Sequence, residues 1–173
     1  MLEEFLNIAL ELKTVPRQGW INKLGLKNPE SVADHCYLMA VMAMVFSDLK
    51  KLDTEKMIKM TLLHDLAEAI TGDLTPEDVS KSKKEKLESD AMKKILAALP
   101  KSLEAKYEKI WIEYQKNSTK EARLLHQIDK LEMALQAKSY NKRFTKKQLA
   151  PFFDSAKKGI TDPDLKKTFK KTL

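Results

Sequence analysis

Hydrophobic side chains recur at intervals of three and four residues along most of the chain, which is the spacing of a buried helix face. The clearest case is one predicted face of a long helix, formed by Val32, Cys36, Met39, Ala43 and Phe46. No stretch shows sustained alternation of β-branched and polar residues, and only 4 glycines interrupt the 173 residues. The pattern therefore predicts an all-α protein.

Helix-capping residues and helix breakers divide this pattern into separate helices. Ser31 (or Asn28-Pro29), Asp53 (or Thr54) and Thr75-Pro76 are the clearest predicted starts. Residues 14–27 contain one proline and two glycines and are expected to form an irregular loop. The predicted helices cover about residues 2–13, 29–50, 55–70, 76–99, 102–115 and 119–140, and two short ones follow, marked by Pro151 and Asp162-Pro163.

The chain has the usual length of one domain, and it contains neither an internal repeat nor a linker long enough to divide it. We therefore expect one domain over residues 1–173. Its core is expected at about residues 1–140, with a C-terminal helical extension at about residues 141–173.

The net charge of +7 attracts phosphate groups, although lysines that merely cover helix surfaces explain it as well. Because no basic stripe alternates with aromatic residues, we expect no dedicated nucleic-acid partner. The single cysteine, Cys36, fits a reducing compartment. The apolar run at residues 37–46 is shorter than the ~20 residues that span a bilayer. With no basic leader at the N-terminus, these features predict a cytoplasmic protein without a membrane partner.

Two of the three histidines adjoin an aspartate, in Asp34-His35 and His64-Asp65. His64 and Asp65 lie within the apolar stretch 60–67, which is predicted to face the core. A buried carboxylate without a partner costs several kcal/mol, so Asp65 needs a positive neighbour. Two partners stay open at this point, a divalent cation and an arginine or lysine side chain.

Imidazole nitrogens and carboxylate oxygens together suit Mn, Fe, Co, Ni or Zn, and Mg stays open as an alternative. Further ligands must come from other helices, since neighbouring residues on one helix diverge by ~100°. His35 is the best third ligand, and Asp129 and His126 are the candidates on a later helix. Asp129 also lies in an apolar stretch and needs a buried partner of its own.

Two more carboxylates follow the His64-Asp65 pair. Glu68 lies four residues after His64, one helical turn along the same face, where it could exchange a proton with a water molecule or a leaving oxygen. An ordinary surface glutamate is the alternative. Asp73 follows Gly72 and is open between a catalytic role and that of a turn or capping residue.

Taken together, these residues resemble the H…HD…D signature of the HD-domain metal-dependent phosphohydrolases. Residues 30–35 (ESVADH) look like the segment of the first histidine. The segments 64–68 (HDLAE) and 71–74 (TGDL) resemble the HDxxE…TGD sequence motif of the 5'-deoxynucleotidase branch. Residues 129–137 (DKLEMALQA) are similar to its last ligand helix.

The resemblance implies an HD-domain helical bundle with a buried divalent metal bound by His35, His64, Asp65 and Asp129. It implies hydrolysis of deoxyribonucleoside 5'-monophosphates to nucleoside and phosphate, with catalytic roles for two carboxylates. The similarity to some members instead suggests that those carboxylates hold a second metal. The two carboxylates, in the catalytic role or as ligands of a second metal, are Glu68 and Asp73.

The loop 17–20 (RQGW) also resembles a substrate-binding element of the family. Arg17 would clamp the phosphate, and Trp20 would pack against the sugar or base. In the bacterial members the arginine and tryptophan are adjacent, whereas two residues separate them here, which leaves Trp20 open between this role and a place in the core.

Family relatives are commonly homodimers, so a homodimer is expected. The expected small-molecule partner is a nucleotide substrate. Two alternatives stay open. One is an HD-type phosphodiesterase acting on cyclic nucleotides or oligonucleotides, and the other is a non-enzymatic basic helical binding module.

Overall fold

A computed structural model describes residues 2–172 and folds them almost entirely as helices. Within that range no β-strand forms, and an isolated bridge joins Pro16 to Ser31. The all-α prediction is therefore confirmed. The helices are α1 Leu2–Glu11, α2 Gln18–Leu24, α3 Val32–Lys50, α4 Thr54–His64, α5 Glu68–Thr71, α6 Lys81–Leu96, α7 Lys101–Gln115, α8 Lys120–Ser139, α9 Lys146–Gly159 and α10 Pro163–Thr172, with a 3-10 turn at Tyr140–Lys142 between α8 and α9.

Side-chain caps fix the starts of the helices that carry the core. The Ser31 hydroxyl accepts the Asp34 N–H while the Asp34 carboxylate accepts the Ser31 N–H, which forms a capping box at the start of α3. Asp53 accepts the Lys56 N–H at the start of α4 in the same way. These are two of the starts that the sequence predicts.

The predicted loop at residues 14–27 is partly wrong, because it contains the short helix α2. The Asp73 carboxylate accepts the Gln18 N–H at the start of α2, over a distance of 2.8 Å. Gly25 ends the helix in the left-handed region at φ 64°, where glycine is favoured. A carboxylate 55 residues away in sequence thus stabilises a helix too short to be recognised from local pattern.

The single predicted helix at residues 55–70 is also wrong, since the chain leaves the helical path between α4 and α5. Asp65 adopts φ −108° and ψ 12°, and a turn follows before Glu68 begins α5. The interruption places His64, Asp65 and Glu68 on one side of the chain, whereas an unbroken helix would turn neighbouring side chains apart by ~100°.

Two further boundaries differ from the prediction. Thr75 and Asp78 close a hydrogen-bonded turn instead of opening a helix, and α6 begins after Ser80, whose hydroxyl caps it. Pro151, which marks this helix in the sequence, lies inside α9, since the capping box of Thr145 and Gln148 begins the helix before it, at Lys146.

The core lies where α3, α4 and α8 meet, and the remaining helices surround it. Ile128, Leu131 and Ala134 of α8 are fully buried. By length and mean hydropathy (1.4), α3 alone among the described residues could cross a membrane, but its buried residues belong to this core. The division at residue 140 stays a prediction.

The C-terminal helices are fastened to the core through α8 and α3. The Gln127 side-chain oxygen accepts the Thr161 N–H at 2.7 Å and the Asp162 N–H at 2.8 Å. The Lys50 ammonium lies 2.8 Å from each of the Asp162 and Asp164 carboxylates. The start of α10 is thereby held against the end of α3.

Gln127→Ala should lower the free energy of unfolding by about 1–2 kcal/mol, because two backbone N–H groups lose their acceptor. Chemical denaturation measures the change. Gln136→Ala on the same helix is the matched control, since the Gln136 side chain makes no hydrogen bond within the described residues. Equal losses in the two variants would contradict this role for Gln127.

Candidate functional site

Three helices bring two imidazoles and two aspartates to one point in the core. His35 lies in the first turns of α3, His64 ends α4, and Asp129 lies on α8. His35 Nε2 is 3.7 Å from Asp65 Oδ2 and 3.5 Å from Asp129 Oδ1, and His64 Nε2 is 3.0 Å from Asp65 Oδ2. One ligand atom each from His35, His64 and Asp65 falls within 4.8 Å of the others.

Hydrogen bonds orient both imidazole rings. The His35 Nδ1–H donates to Glu132 Oε2 and the His64 Nδ1–H donates to the Thr61 carbonyl, each over 2.6 Å. Both Nε2 atoms are buried and have no hydrogen-bond partner among residues 2–172. A metal-binding histidine holds its other nitrogen in this way, so the two unpaired nitrogens fit a cation between them and the aspartates.

Burial sets the charges of His35 and of its hydrogen-bond partner Glu132. It lowers the pKa of His35 to about 4, so this imidazole is neutral at pH 7 and has a lone pair to offer a cation. Burial also raises the pKa of Glu132 to about 8. A cation bound to the far nitrogen of His35 favours the charged form of that carboxylate.

The sequence left open an arginine or lysine partner for Asp65, and the structure places Arg17 beside it. Its guanidinium lies 3.5 Å from Asp65 and 3.8 Å from Asp73. Burial opposes its charge, but these aspartates hold the pKa of Arg17 above its ordinary value. Arg17 pairs with the aspartates and gives neither histidine Nε2 atom a hydrogen bond, so it does not replace a cation there.

Backbone pairing holds Arg17 beside the ligand cluster. The Arg17 N–H donates to the Glu30 carbonyl at 3.0 Å, and the Val32 N–H donates to the Val15 carbonyl at 2.9 Å. The segment before α2 is thus tied to the residues that open α3. On the C-terminal side of Arg17, the Asp73 carboxylate accepts the N–H of the next residue, Gln18.

Glu68 lies just beyond the interruption of the helix and lines the same cavity. Its side chain is 2% exposed, Oε1 lies 3.4 Å from Lys84 Nζ, and Oε2 has no hydrogen-bond partner in the described chain. Burial, followed by the nearby charges of Asp65 and Asp73, raises the pKa of Glu68 well above its ordinary value. A carboxyl group of this kind is suited to proton transfer.

A cavity of about 300 Å³ opens over the cluster. Its carboxylates are Asp65, Glu68, Asp73 and Asp129, and its cationic side chains are Arg17, Lys84 and Lys130. Apolar side chains line a further part of the wall, among them Trp20, Met133 and Phe152. The volume lies at the lower end of the range for small-molecule sites, about 300–1,000 Å³.

Trp20 belongs to the core and also lines the cavity, while its contact with a sugar or base stays a prediction. It is 3% exposed and packs against Phe152, with ring centroids 4.2 Å apart, and edge-on against Tyr140 at 5.3 Å. Its indole N–H donates to Glu30 Oε1 at 2.9 Å. It is therefore a core residue with one edge on the cavity wall.

Seven of the eight predicted site residues line one cavity, and the eighth, His35, lies beneath it in contact with Asp65 and Asp129, while their individual roles stay predictions. His126 lies elsewhere, with its ring stacked on Tyr114 at 4.1 Å and Nε2 3.0 Å from the Tyr114 carbonyl. Sequence reasoning missed Glu132, Lys84 and Phe152. Of these, only Glu132 carried a signal, as a second acidic residue in the apolar stretch that follows Asp129.

The chain matches a known protein family over most of its length. The sequence model of the family described as "HD domain" matches residues 9–172. The chain belongs to the HD domain family. Divalent metals are bound by HD domains, and in this one the cluster of His35, His64 and Asp65 fits that property.

Relatives of this HD domain include enzymes with assigned names. The 5'-deoxynucleotidase HDDC2 of Mus musculus is 40% identical over 166 residues, which are 95% of this chain and 82% of the relative. The human HDDC2 protein is also 40% identical, over 95% of this chain and 80% of its own length. A solved structure from Pyrococcus horikoshii OT3 is 33% identical with a TM-score of 0.81, covering 99% of this chain and 98% of that one.

Glu132→Leu should weaken cation binding by about 10–100-fold, because the His35 ring loses the acceptor that orients it. Competition with a chelator measures the affinity. The metal-free fold should melt earlier in this variant, because the buried His35 N–H is left without an acceptor.

Glu132→Gln is the matched variant, because its amide oxygen can still accept the His35 N–H. It should therefore retain more of the affinity than the leucine variant. Wild-type cation binding in Glu132→Leu would contradict the orienting role.

Proposed function

We propose that this HD domain is a 5'-deoxynucleotidase that hydrolyses deoxyribonucleoside 5'-monophosphates to nucleoside and phosphate. The observation that carries the proposal is the pair of buried, unpaired Nε2 atoms of His35 and His64 facing Asp65 and Asp129. The names of the curated relatives support the substrate class. The small cavity supports one nucleotide in preference to an oligonucleotide.

We propose a single divalent cation bound by His35, His64, Asp65 and Asp129. The two other carboxylates of the cavity already lie beside cationic side chains, Glu68 beside Lys84 and Asp73 beside Arg17, which argues against a second metal. Two imidazole nitrogens favour Mn, Fe, Co, Ni or Zn over Mg, which prefers oxygen ligands.

Charge explains why phosphate binding needs the cation. The cationic side chains of the cavity already lie beside carboxylates, Arg17 beside Asp65 and Asp73, Lys84 beside Glu68 and Lys130 beside Asp129, so little of their charge is left for a dianion. The net charge of +7 for the whole chain does not alter this local balance. A divalent cation held by His35, His64, Asp65 and Asp129 would add positive charge to the cavity, stabilise the charge of the phosphoryl oxygens and lower the pKa of a water molecule.

The chain's own residues divide the remaining work. Arg17 donates charge-assisted hydrogen bonds to the phosphate from the side of α2. Glu68 exchanges a proton with the attacking water or the leaving oxygen. Asp73 holds Arg17 in place, through its bond to the Gln18 N–H and its charge.

The test is a phosphate-release screen over ribo- and deoxyribonucleoside monophosphates with Mn, Co, Ni, Zn and Mg, joined to metal analysis of variants. His64→Ala should lose both cation and activity. Glu68→Gln should keep the cation while kcat falls by about 10²–10⁴-fold, as expected for a lost general acid or base.

The controls are His126→Asn, a histidine outside the cluster, and Glu88→Gln, whose carboxylate also pairs with Lys84 but lies off the cavity wall. Both should keep cation and turnover. Hydrolysis of cyclic phosphodiesters in place of monophosphates, or full activity in Glu68→Gln, would contradict the proposal.

We also propose a homodimer that buries an apolar surface formed by α1 and α3. Leu6 and Leu10 of α1 and Tyr37, Val41 and Val45 of α3 are exposed at helical spacing. The two stripes border one apolar pocket, lined from α1 by Phe5 and Ala9 and from α3 by Tyr37 and Ala40. Large exposed apolar patches of this kind mark association surfaces, and a second copy would match them by two-fold symmetry.

The double variant Val41→Lys/Val45→Lys should run at the mass of one chain, 19.9 kDa, where the wild type runs at twice that mass in light scattering. Burying two lysines at the dimer contact opposes association. Leu103→Lys, at an exposed leucine of α7, should stay dimeric. A wild type that runs as a monomer would contradict the dimer, and binding of lipid vesicles through α3 would then explain the exposed apolar surface instead.

A further inference from the structure

The cavity over the metal ligands is chemically two-sided. One part of its wall carries the charged groups described above, and another is formed by Trp20, Met133 and Phe152. The catalytic proposal uses only the charged part. The apolar part needs an account of its own, because apolar surface beside a charged site is suited to hold an uncharged portion of the substrate.

Helix α8 connects the two parts. Asp129 and Met133 lie four residues apart on α8 and so on the same face, separated by about 6 Å along the helix axis. Both side chains line the cavity. The apolar wall therefore begins one helical turn from the metal ligand, at a distance suited to a group attached directly to a bound phosphate.

The apolar wall presents carbon surface. The indole N–H of Trp20 is engaged by Glu30, so Trp20 has no donor left for a ligand. Phe152 is 6% exposed and packs on Trp20 with the planes inclined by 34°. Such a wall fits the flat or weakly polar surface of a sugar and base by contact and stacking.

Phe152 reaches this wall from α9, a helix outside the predicted core at residues 1–140. The packing of Leu149 and Phe152 against Trp20 and Tyr140 fixes the approach of α9. The next residue, Phe153, is half-buried and packs between the two hydrophobic clusters without lining the cavity. Two adjacent phenylalanines thus differ in their access to a ligand.

We infer that Phe152, together with Met133, forms the nucleoside subsite and that α9 thereby determines which phosphomonoesters this enzyme accepts. The inference rests on the proposed function and deepens it. The charged part of the cavity recognises the phosphate that all such substrates share. The wall made by α8 and α9 recognises the nucleoside, so the C-terminal helices contribute to specificity as well as to stability.

The test compares Phe152→Leu with Phe153→Leu in steady-state hydrolysis of deoxyribonucleoside monophosphates. Phe152→Leu should raise KM by roughly two- to tenfold, the range that a lost aromatic contact implies, and change kcat less. Product inhibition gives the second readout. The inhibition constant of the deoxynucleoside should rise with KM, whereas that of inorganic phosphate should stay at the wild-type value.

Phe153→Leu removes the same atoms from the same helix, so it should match the wild type in both inhibition constants. Its melting temperature controls for the loss of packing in α9, and Phe152→Met is the substitute if the leucine variant does not fold. Unchanged KM and nucleoside inhibition in both Phe152 variants, with an active wild type, would overturn the inference alone. A wild type that releases no phosphate from these nucleotides would overturn the proposed function.

Discussion

Burial of unpaired nitrogen and oxygen ligands at the meeting point of three helices is the constraint on which the site depends. His35 and His64 point Nε2 atoms at Asp65 and Asp129, and within the described chain those nitrogens have no other partner. Groups of this kind are costly in a protein interior unless something satisfies them. A divalent cation would do so for all four side chains at once, whereas Arg17 pairs with aspartates only.

Several features of the fold bring these side chains together at one place. The turn at Asp65 costs the continuity of a helix but brings the His64-Asp65 pair and Glu68 to one side of the chain. The bridge between Pro16 and Ser31 carries Arg17 to the start of α3. On α8, Asp129 is the proposed ligand, Glu132 accepts the His35 N–H and Met133 begins the apolar wall, so one helix face serves three parts of the site.

The all-α class and the cluster of His35, His64, Asp65 and Asp129 could be predicted, because helical periodicity and the His-Asp motifs are local in sequence. The interruption after His64 could not, since the apolar pattern continues through Asp65 and tertiary contacts decide the break. Helix α2 was missed because Asp73, far away in sequence, caps it. Lys84 and Phe152 lie in helices whose patterns reveal only which face is buried, so their access to the cavity depends on how α6 and α9 pack.

Diffraction from crystals grown with Mn or Zn, recorded at the absorption edge of the metal, tests the central claim most directly. The account predicts one anomalous peak in contact with the Nε2 atoms of His35 and His64 and with carboxylate oxygens of Asp65 and Asp129, with Arg17 at its rim. A peak that avoids the two histidines, or no peak while the Arg17 guanidinium fills the space between the four side chains, would contradict it.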